Sequence, residues 1–120
     1  NDMYTTTVRS ARITYTKLNR LLFEGKLPPS SQIVFDIGAI NKSWAYCEKI
    51  KDGVKIKLAP NYKSKHFFIT ILAHEMVHVW EYLTWGKMTH GPRFFEFREI
   101  FQKHGIELIG EAGYNHEDFI

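Results

Sequence analysis

The sequence predicts a compact α+β fold, with three main helices packed on a small, mainly antiparallel three-stranded sheet. Three observations predict it. Residues 65–85 contain no Gly or Pro and repeat apolar side chains at helical spacing. Two short runs, 43–49 and 54–58, flank Lys51-Asp52-Gly53, a strong hairpin signal. A further helical stretch lies on each side of this centre, one near the N-terminus and one beginning at Pro92.

Taken in order, residues 5–24 read as a helix with Leu18 and Leu22 on one face, ended by Gly25 and the Pro28-Pro29 pair. Residues 32–35 form a short apolar strand. In 54–58, Val54, Ile56 and Leu58 point one way and Lys55 and Lys57 the other. Ala59-Pro60-Asn61 breaks that strand. Along 65–85, Phe68, Leu72, Met76, Val79 and Leu83 face the core, while Ile71, His74, His78 and Tyr82 face a cleft; Gly86 stops the helix. Residues 92–103 form the third helix, with Phe94, Phe95, Phe97 and Phe101 as core anchors. The expected organisation is one domain over residues 1–120, with its core at about 5–105 and a C-terminal tail over 106–120 that is irregular from Gly110.

Composition agrees. A 120-residue chain that is 44% apolar and 15% aromatic can bury a core as one domain. Its single cysteine, Cys47, excludes an intramolecular disulfide and a four-cysteine zinc ribbon within this chain, and points to a reducing, cytoplasmic setting. No run approaches the ~18 apolar residues of a membrane span, so no membrane partner is expected. No secretory signal is read at the start.

The most informative feature is His74-Glu75-Met76-Val77-His78. Residues four apart on a helix share a face, so His74 and His78 can hold one metal ion, with Glu75 beside them to handle a proton of an activated water. This is the H-E-x-x-H arrangement of zinc hydrolases and predicts one Zn²⁺ per chain, with Glu75 as general base. A third ligand is expected from His90, in Thr89-His90-Gly91-Pro92, after a short reversal over 86–89. The rivals are Glu96 and Glu99 of the next helix. Glu81 and Thr84 stand where the metzincin pattern requires Gly and His, which excludes that pattern. Tyr82, His104 and Tyr114 are conceivable transition-state donors, none of them placed by the sequence. An edge strand beside the cleft would hold an extended peptide by backbone pairing, and 54–58 is the expected edge, with Lys55, Ile56 and Lys57 as substrate contacts.

Charge supplies a second theme. Net charge is +3, yet Lys42, Lys49, Lys51, Lys55, Lys57, Lys63 and Lys65 share a stretch containing only Glu48 and Asp52. Residues 104–120 carry Glu107, Glu111, Glu117 and Asp118 without a Lys or Arg, so the tail would be drawn to a basic cleft. Such a patch suits a phosphate backbone, and equally a solvated sheet face guarded by lysines. On the first reading Lys42, Trp44, Lys49, Lys51, Lys63 and Lys65 contact nucleic acid, Trp44 and Tyr46 adding base stacking, although alternating strand aromatics more often pack.

Leu72-Ala73-His74-Glu75-Met76-Val77-His78, followed by His90-Gly91-Pro92-x-Phe94, resembles the SprT-like metalloprotease domain of the SprT and Spartan type. Tyr15-x-x-Leu18-Asn19-x-x-Leu22-Phe23-x-Gly25-x-Leu27-Pro28 is similar to that family's first helix and exit turn, and Val54-Lys55-Ile56-Lys57-Leu58 resembles the strand before its active-site helix. The resemblance covers roughly residues 8–105. It implies a zincin-like domain in which His74, His78 and His90 ligate zinc and Glu75 is the base. It also implies a metallopeptidase whose partners are a protein or peptide substrate and DNA, acting on DNA-associated or DNA-crosslinked proteins. Two alternatives stand beside it: a zinc amidase acting on a non-protein amide, and a nucleic-acid-binding module with non-catalytic zinc. The lysine-rich cleft walls weigh against the first and the intact Glu75 against the second.

Overall fold

The structure, a computed structural model, describes residues 3–89 and 91–109. Local signals set the first helix, α1 (Val8–Phe23). The Thr7 hydroxyl accepts the Ser10 amide at 3.0 Å and the Ser10 hydroxyl accepts the Thr7 amide at 3.1 Å, closing a capping box. The helix starts later than residue 5 because Tyr4–Thr5 is a strand, β1, that pairs antiparallel with Asn61–Tyr62. At its end Glu24 and Gly25 adopt left-handed backbone angles, φ 56° and 73°. The chain then folds back onto the helix. The Asn19 amide group accepts from the Leu27 N–H and donates to the Leu27 carbonyl, both at 3.1 Å, and the Tyr15 hydroxyl donates to the Pro28 carbonyl at 2.7 Å. Tyr15, Asn19, Leu27 and Pro28 are thus the parts of one closed exit turn.

A three-stranded sheet follows, from β2 (Ile33–Ile37), β3 (Ala45–Ile50) and β4 (Gly53–Leu58), with β5 (Asn61–Tyr62) completing the two-stranded ribbon with β1. The order is β2-β4-β3. The hairpin turn is Lys51-Asp52, with Gly53 at φ 150° opening β4 opposite Ile50. Val54, Ile56 and Leu58 are buried and Lys55 and Lys57 face outward, as alternation requires. The sheet is mixed: β4 runs antiparallel to β3 but parallel to β2, Ile33 lying opposite Val54 and Ile37 opposite Leu58. This corrects the expected role of residues 54–58. β4 is the central strand, paired along its length on both sides, so Lys55, Ile56 and Lys57 offer no free backbone for a peptide, and Ile56 is fully buried. Alternation reports which face of a strand is buried; it does not report which strands are its neighbours.

Helix α2 (Lys65–Trp85) starts at Ser64, whose hydroxyl accepts the Phe67 amide at 3.0 Å, and ends at Gly86, φ 76°. Every residue from 70 to 79 is buried. The helix is therefore covered all round rather than split into a core face and an open face. Ile71, expected at the cleft, is fully buried; Leu83, expected in the core, is 52% exposed because the last turn runs beyond its cover. The third helical stretch begins with a 3-10 turn, Phe94–Phe97, and continues as α3 (Arg98–Lys103). Phe94 and Phe101 are fully buried, while Phe95 and Phe97 pack half-buried against the core. Phe97 lies 4.9 Å from Phe23 and 4.6 Å from Trp80, joining α1, α2 and the α3 region. Among the described residues no helix is long and apolar enough to cross a membrane.

Replacing Asn19 by Ala removes both hydrogen bonds that close the exit turn and leaves two buried backbone groups unpaired. The expected cost is about 2 kcal/mol of stability, read from the midpoint of urea unfolding.

Candidate metal centre

Burial of α2 creates the polar problem that defines the site. His74, Glu75 and His78 are all buried, and their ligand-type atoms lie within 4.8 Å of one another. Two buried imidazoles need partners, and each finds a hydrogen-bond acceptor for Nδ1. His74 Nδ1 donates to the Ile109 carbonyl at 3.1 Å. His78 Nδ1 donates to Glu81 Oε1 at 3.0 Å. Carbonyl and carboxylate oxygens only accept, so each ring carries a proton on Nδ1, and in its neutral form has its lone pair on Nε2. This is how a metal-binding histidine is ordinarily held. The ring centroids are 4.9 Å apart, and the fully buried Phe94 packs 4.9 Å from His74 and 5.0 Å from His78.

Glu75 is 2% exposed and makes no hydrogen bond or ion pair among the described residues. Burial pushes its carboxyl up to about 8. A cation held by the adjacent imidazoles would favour the charged carboxylate and oppose that shift. The donor set fits a metal ion: two imidazoles whose Nδ1 atoms are held by acceptors and a carboxylate beside them. Zinc is one ion that such donors accept.

Of the expected third ligands, His90 lies outside the described residues. Its chain neighbours Thr89 and Gly91 are placed by hydrogen bonds, Thr89 to Glu81 and Gly91 N–H to Thr89 Oγ1 at 3.2 Å. Glu96 and Glu99 are exposed, and Glu96 lines a groove with Leu22, Trp80 and Ile100 rather than the histidine pair. Tyr82 is half-buried and His104 exposed at the end of α3; Tyr114 and the acidic residues of 110–120 lie outside the described residues. Gly110, where the irregular stretch is expected to start, lies outside the described residues, and the four residues before it have no regular secondary structure. Ile106, Leu108 and Ile109 are buried, and Ile109 fixes His74.

The site opens on a cleft of about 210 Å³ lined by Ala45, Tyr46 and Cys47 of β3, by His74, Glu75 and His78, and by Met88. The strand beside the cleft is thus β3, whose other edge pairs only with β4 among the described residues. Burial pushes the Cys47 thiol well above its ordinary range, helped by the charges of Glu75 and Glu48, so it sits there as an apolar wall. Sequence reasoning missed Glu81, Ile109 and Met88. Glu81 left a signal: a carboxylate three residues after His78 on a largely apolar helix, with a threonine in the loop that follows. Ile109 acts through its backbone and left none.

The expected basic surface divides in two. Lys57 pairs with Asp36 at 3.1 Å, and Lys55 lies 3.9 Å from Asp36 and 3.7 Å from Glu48, so the outer face of β4 is largely neutralised. Lys42, Lys49, Lys51, Lys63 and Lys65 are exposed and make no ion pair among the described residues. Trp44 is half-buried and packs on Tyr62 and Phe67, at 5.6 and 5.2 Å, so its ring is a packing element.

A profile of the SprT-like family matches residues 11–109. The chain belongs to the SprT-like family. No curated protein and no solved structure matches it significantly. The SprT-like match runs from the first helix to Ile109, the residue whose carbonyl holds His74, so it spans both the H-E-x-x-H helix and the described partners of its histidines. The SprT-like family is of metalloprotease type, and the His74-Glu75-His78 group gives this member the donors for a metal cofactor.

Glu75 also predicts a pH dependence for the metal-free protein. Its folded value, about 8, stands above its ordinary 4.5, so between these values the folded chain holds a proton that the unfolded chain has released. That contribution to stability is complete below 4.5 and is lost as pH rises through about 8. In the presence of a chelator, thermal stability should fall over that window in the wild type, and fall less in Glu75→Gln.

Proposed function

We propose that this SprT-like chain is a zinc-dependent metallopeptidase that hydrolyses peptide bonds inside the cell, acting on DNA-associated or DNA-crosslinked proteins. The observation that carries the reading is the pair of imidazoles whose Nδ1 atoms are both committed to acceptors, on the same helix turn as a buried carboxyl with no hydrogen-bond or ion-pair partner among the described residues. His74 and His78 would hold the ion, with His90 as the third protein ligand. When bound, Zn²⁺ supplies Lewis acidity toward water and toward a scissile carbonyl. Glu75 takes the proton from the attacking water and returns it to the leaving amine, two steps that one mobile carboxyl proton can serve. Phe94 and Met88 restrict water behind and beside the site.

The free edge of β3 holds an extended peptide by main-chain hydrogen bonds. Pairing of this kind reads backbone more than side chain, so sequence preference is loose. Lys42, Lys49, Lys51, Lys63 and Lys65, which lack carboxylate partners among the described residues, offer the cations for a phosphate backbone. Lys55 and Lys57 contribute less, being paired with Asp36 and Glu48.

Zinc content and cleavage of a protein substrate, with and without single-stranded DNA, test the proposal. Wild type and Glu75→Gln should each bind one zinc, while Glu75→Gln loses roughly 10²–10⁴-fold in turnover. His90→Ala should lose both zinc and activity, and DNA should raise the wild-type rate in a salt-sensitive way. Zinc bound by the wild type with no cleavage under any of these conditions would overturn the peptidase reading.

A further inference from the structure

Glu81 stands outside the H-E-x-x-H motif, yet its side chain is held by hydrogen bonds from both the motif and the loop that follows the helix. It is 2% exposed, on α2 one turn beyond His78. Its carboxylate accepts three hydrogen bonds: Oε1 from His78 Nδ1 at 3.0 Å and from the Thr89 amide at 3.1 Å, Oε2 from the Thr89 hydroxyl at 2.9 Å. The Thr89 hydroxyl in turn accepts the Gly91 amide at 3.2 Å. The donors are consistent in direction, running from Gly91 N–H to Thr89 Oγ1–H to the carboxylate. One buried carboxylate therefore ties a metal-facing imidazole to the backbone on both sides of residue 90.

A carboxylate is an unusual choice at this position of a buried helix. A leucine there would bury more cheaply, and a charge without partners would cost several kcal/mol. Here the partners are supplied by a loop from eight residues further along, and burial of Glu81 is tolerable only while that loop stays docked. The converse also holds: the loop from Gly86 to Thr89, which has no regular structure of its own, is tethered to the helix through Glu81.

We propose that Glu81 is a positioning residue for the metal centre. It fixes the Nδ1–H tautomer and ring orientation of His78, and it docks the 86–89 loop against the helix beside that imidazole through Thr89. This rests on the metal-binding reading above. It predicts that metal affinity is set by two linked halves, one through His78 and one through Thr89.

The test compares wild type, Glu81→Gln, Glu81→Leu and Thr89→Val by Zn²⁺ titration against a chromophoric chelator, together with imidazole ¹⁵N shifts of His78 in the metal-free protein. Glu81→Gln keeps the shape and should lose about 10-fold in zinc affinity; Glu81→Leu should lose about 100-fold. Both should move His78 away from the Nδ1–H tautomer, whereas Thr89→Val should weaken zinc binding while leaving that tautomer in place. Glu81→Gln, close in shape, keeps the test informative if Glu81→Leu fails to fold. Unchanged zinc affinity and an unchanged His78 tautomer in folded Glu81→Gln would overturn the assignment. A wild type that binds no zinc would overturn the metal reading instead, and the His78 tautomer would still decide whether Glu81 orients the ring.

Discussion

The enclosure of α2 is the constraint on which the rest of the structure depends. Ten consecutive residues, 70–79, are buried, and three of them, His74, Glu75 and His78, are titratable. Apolar cover comes from every side: β4 and β3 from the sheet, α1 from one flank, and the aromatic residues of the 94–101 stretch from another. The strands supply Ile56 and Leu58, the ribbon supplies Tyr4 and Tyr62 against Phe68, and the third stretch supplies Phe94. A helix so enclosed can keep polar groups only if each is given a partner or a task.

The two histidines and the glutamate divide along that line. His74 and His78 are satisfied on the Nδ1 side by elements remote from the motif, a backbone carbonyl at Ile109 and a side chain at Glu81. Those bonds leave Nε2 of each ring as the lone-pair atom, which is the electronic requirement of a ligand. Glu75 has no such partner among the described residues, and its raised proton affinity follows directly from burial. Among the described residues nothing offsets the cost of burying the Glu75 carboxylate, so burial alone sets the direction of its shift. Thr89, through Glu81, and Ile109, through its carbonyl, both on stretches without regular structure, thus help to hold the histidine pair.

On the outer face of the sheet, electrostatics follows strand order. Lys55 and Lys57 on the central strand lie between Asp36 on one neighbour and Glu48 on the other, which converts an apparent basic run into a charge ladder. The lysines of this stretch without carboxylate partners among the described residues sit in turns and at helix entry, at Lys42, Lys51, Lys63 and Lys65, and on β3 at Lys49. A linear count of lysines overstates the charge that a partner would meet.

By itself the sequence determined the elements and the first-rank chemistry. Helical periodicity without Gly or Pro, the Lys51-Asp52-Gly53 turn and the Gly86 stop are short-range signals, and each element they predict is present within a few residues. The spacing of His74, Glu75 and His78 is set by one turn of helix, so their convergence was legible before any fold was known. Tertiary structure alone decided that β4 is central and β3 is the strand at the cleft, because pairing order depends on contacts between distant segments. It alone decided that Leu83 is exposed and Ile71 enclosed, because a helix buried on all sides has no amphipathic stripe to read. It alone brought Glu81 to Thr89 and Ile109 to His74, since hydrogen bonds across loops, one of them from a backbone carbonyl, leave little or no trace in side-chain pattern.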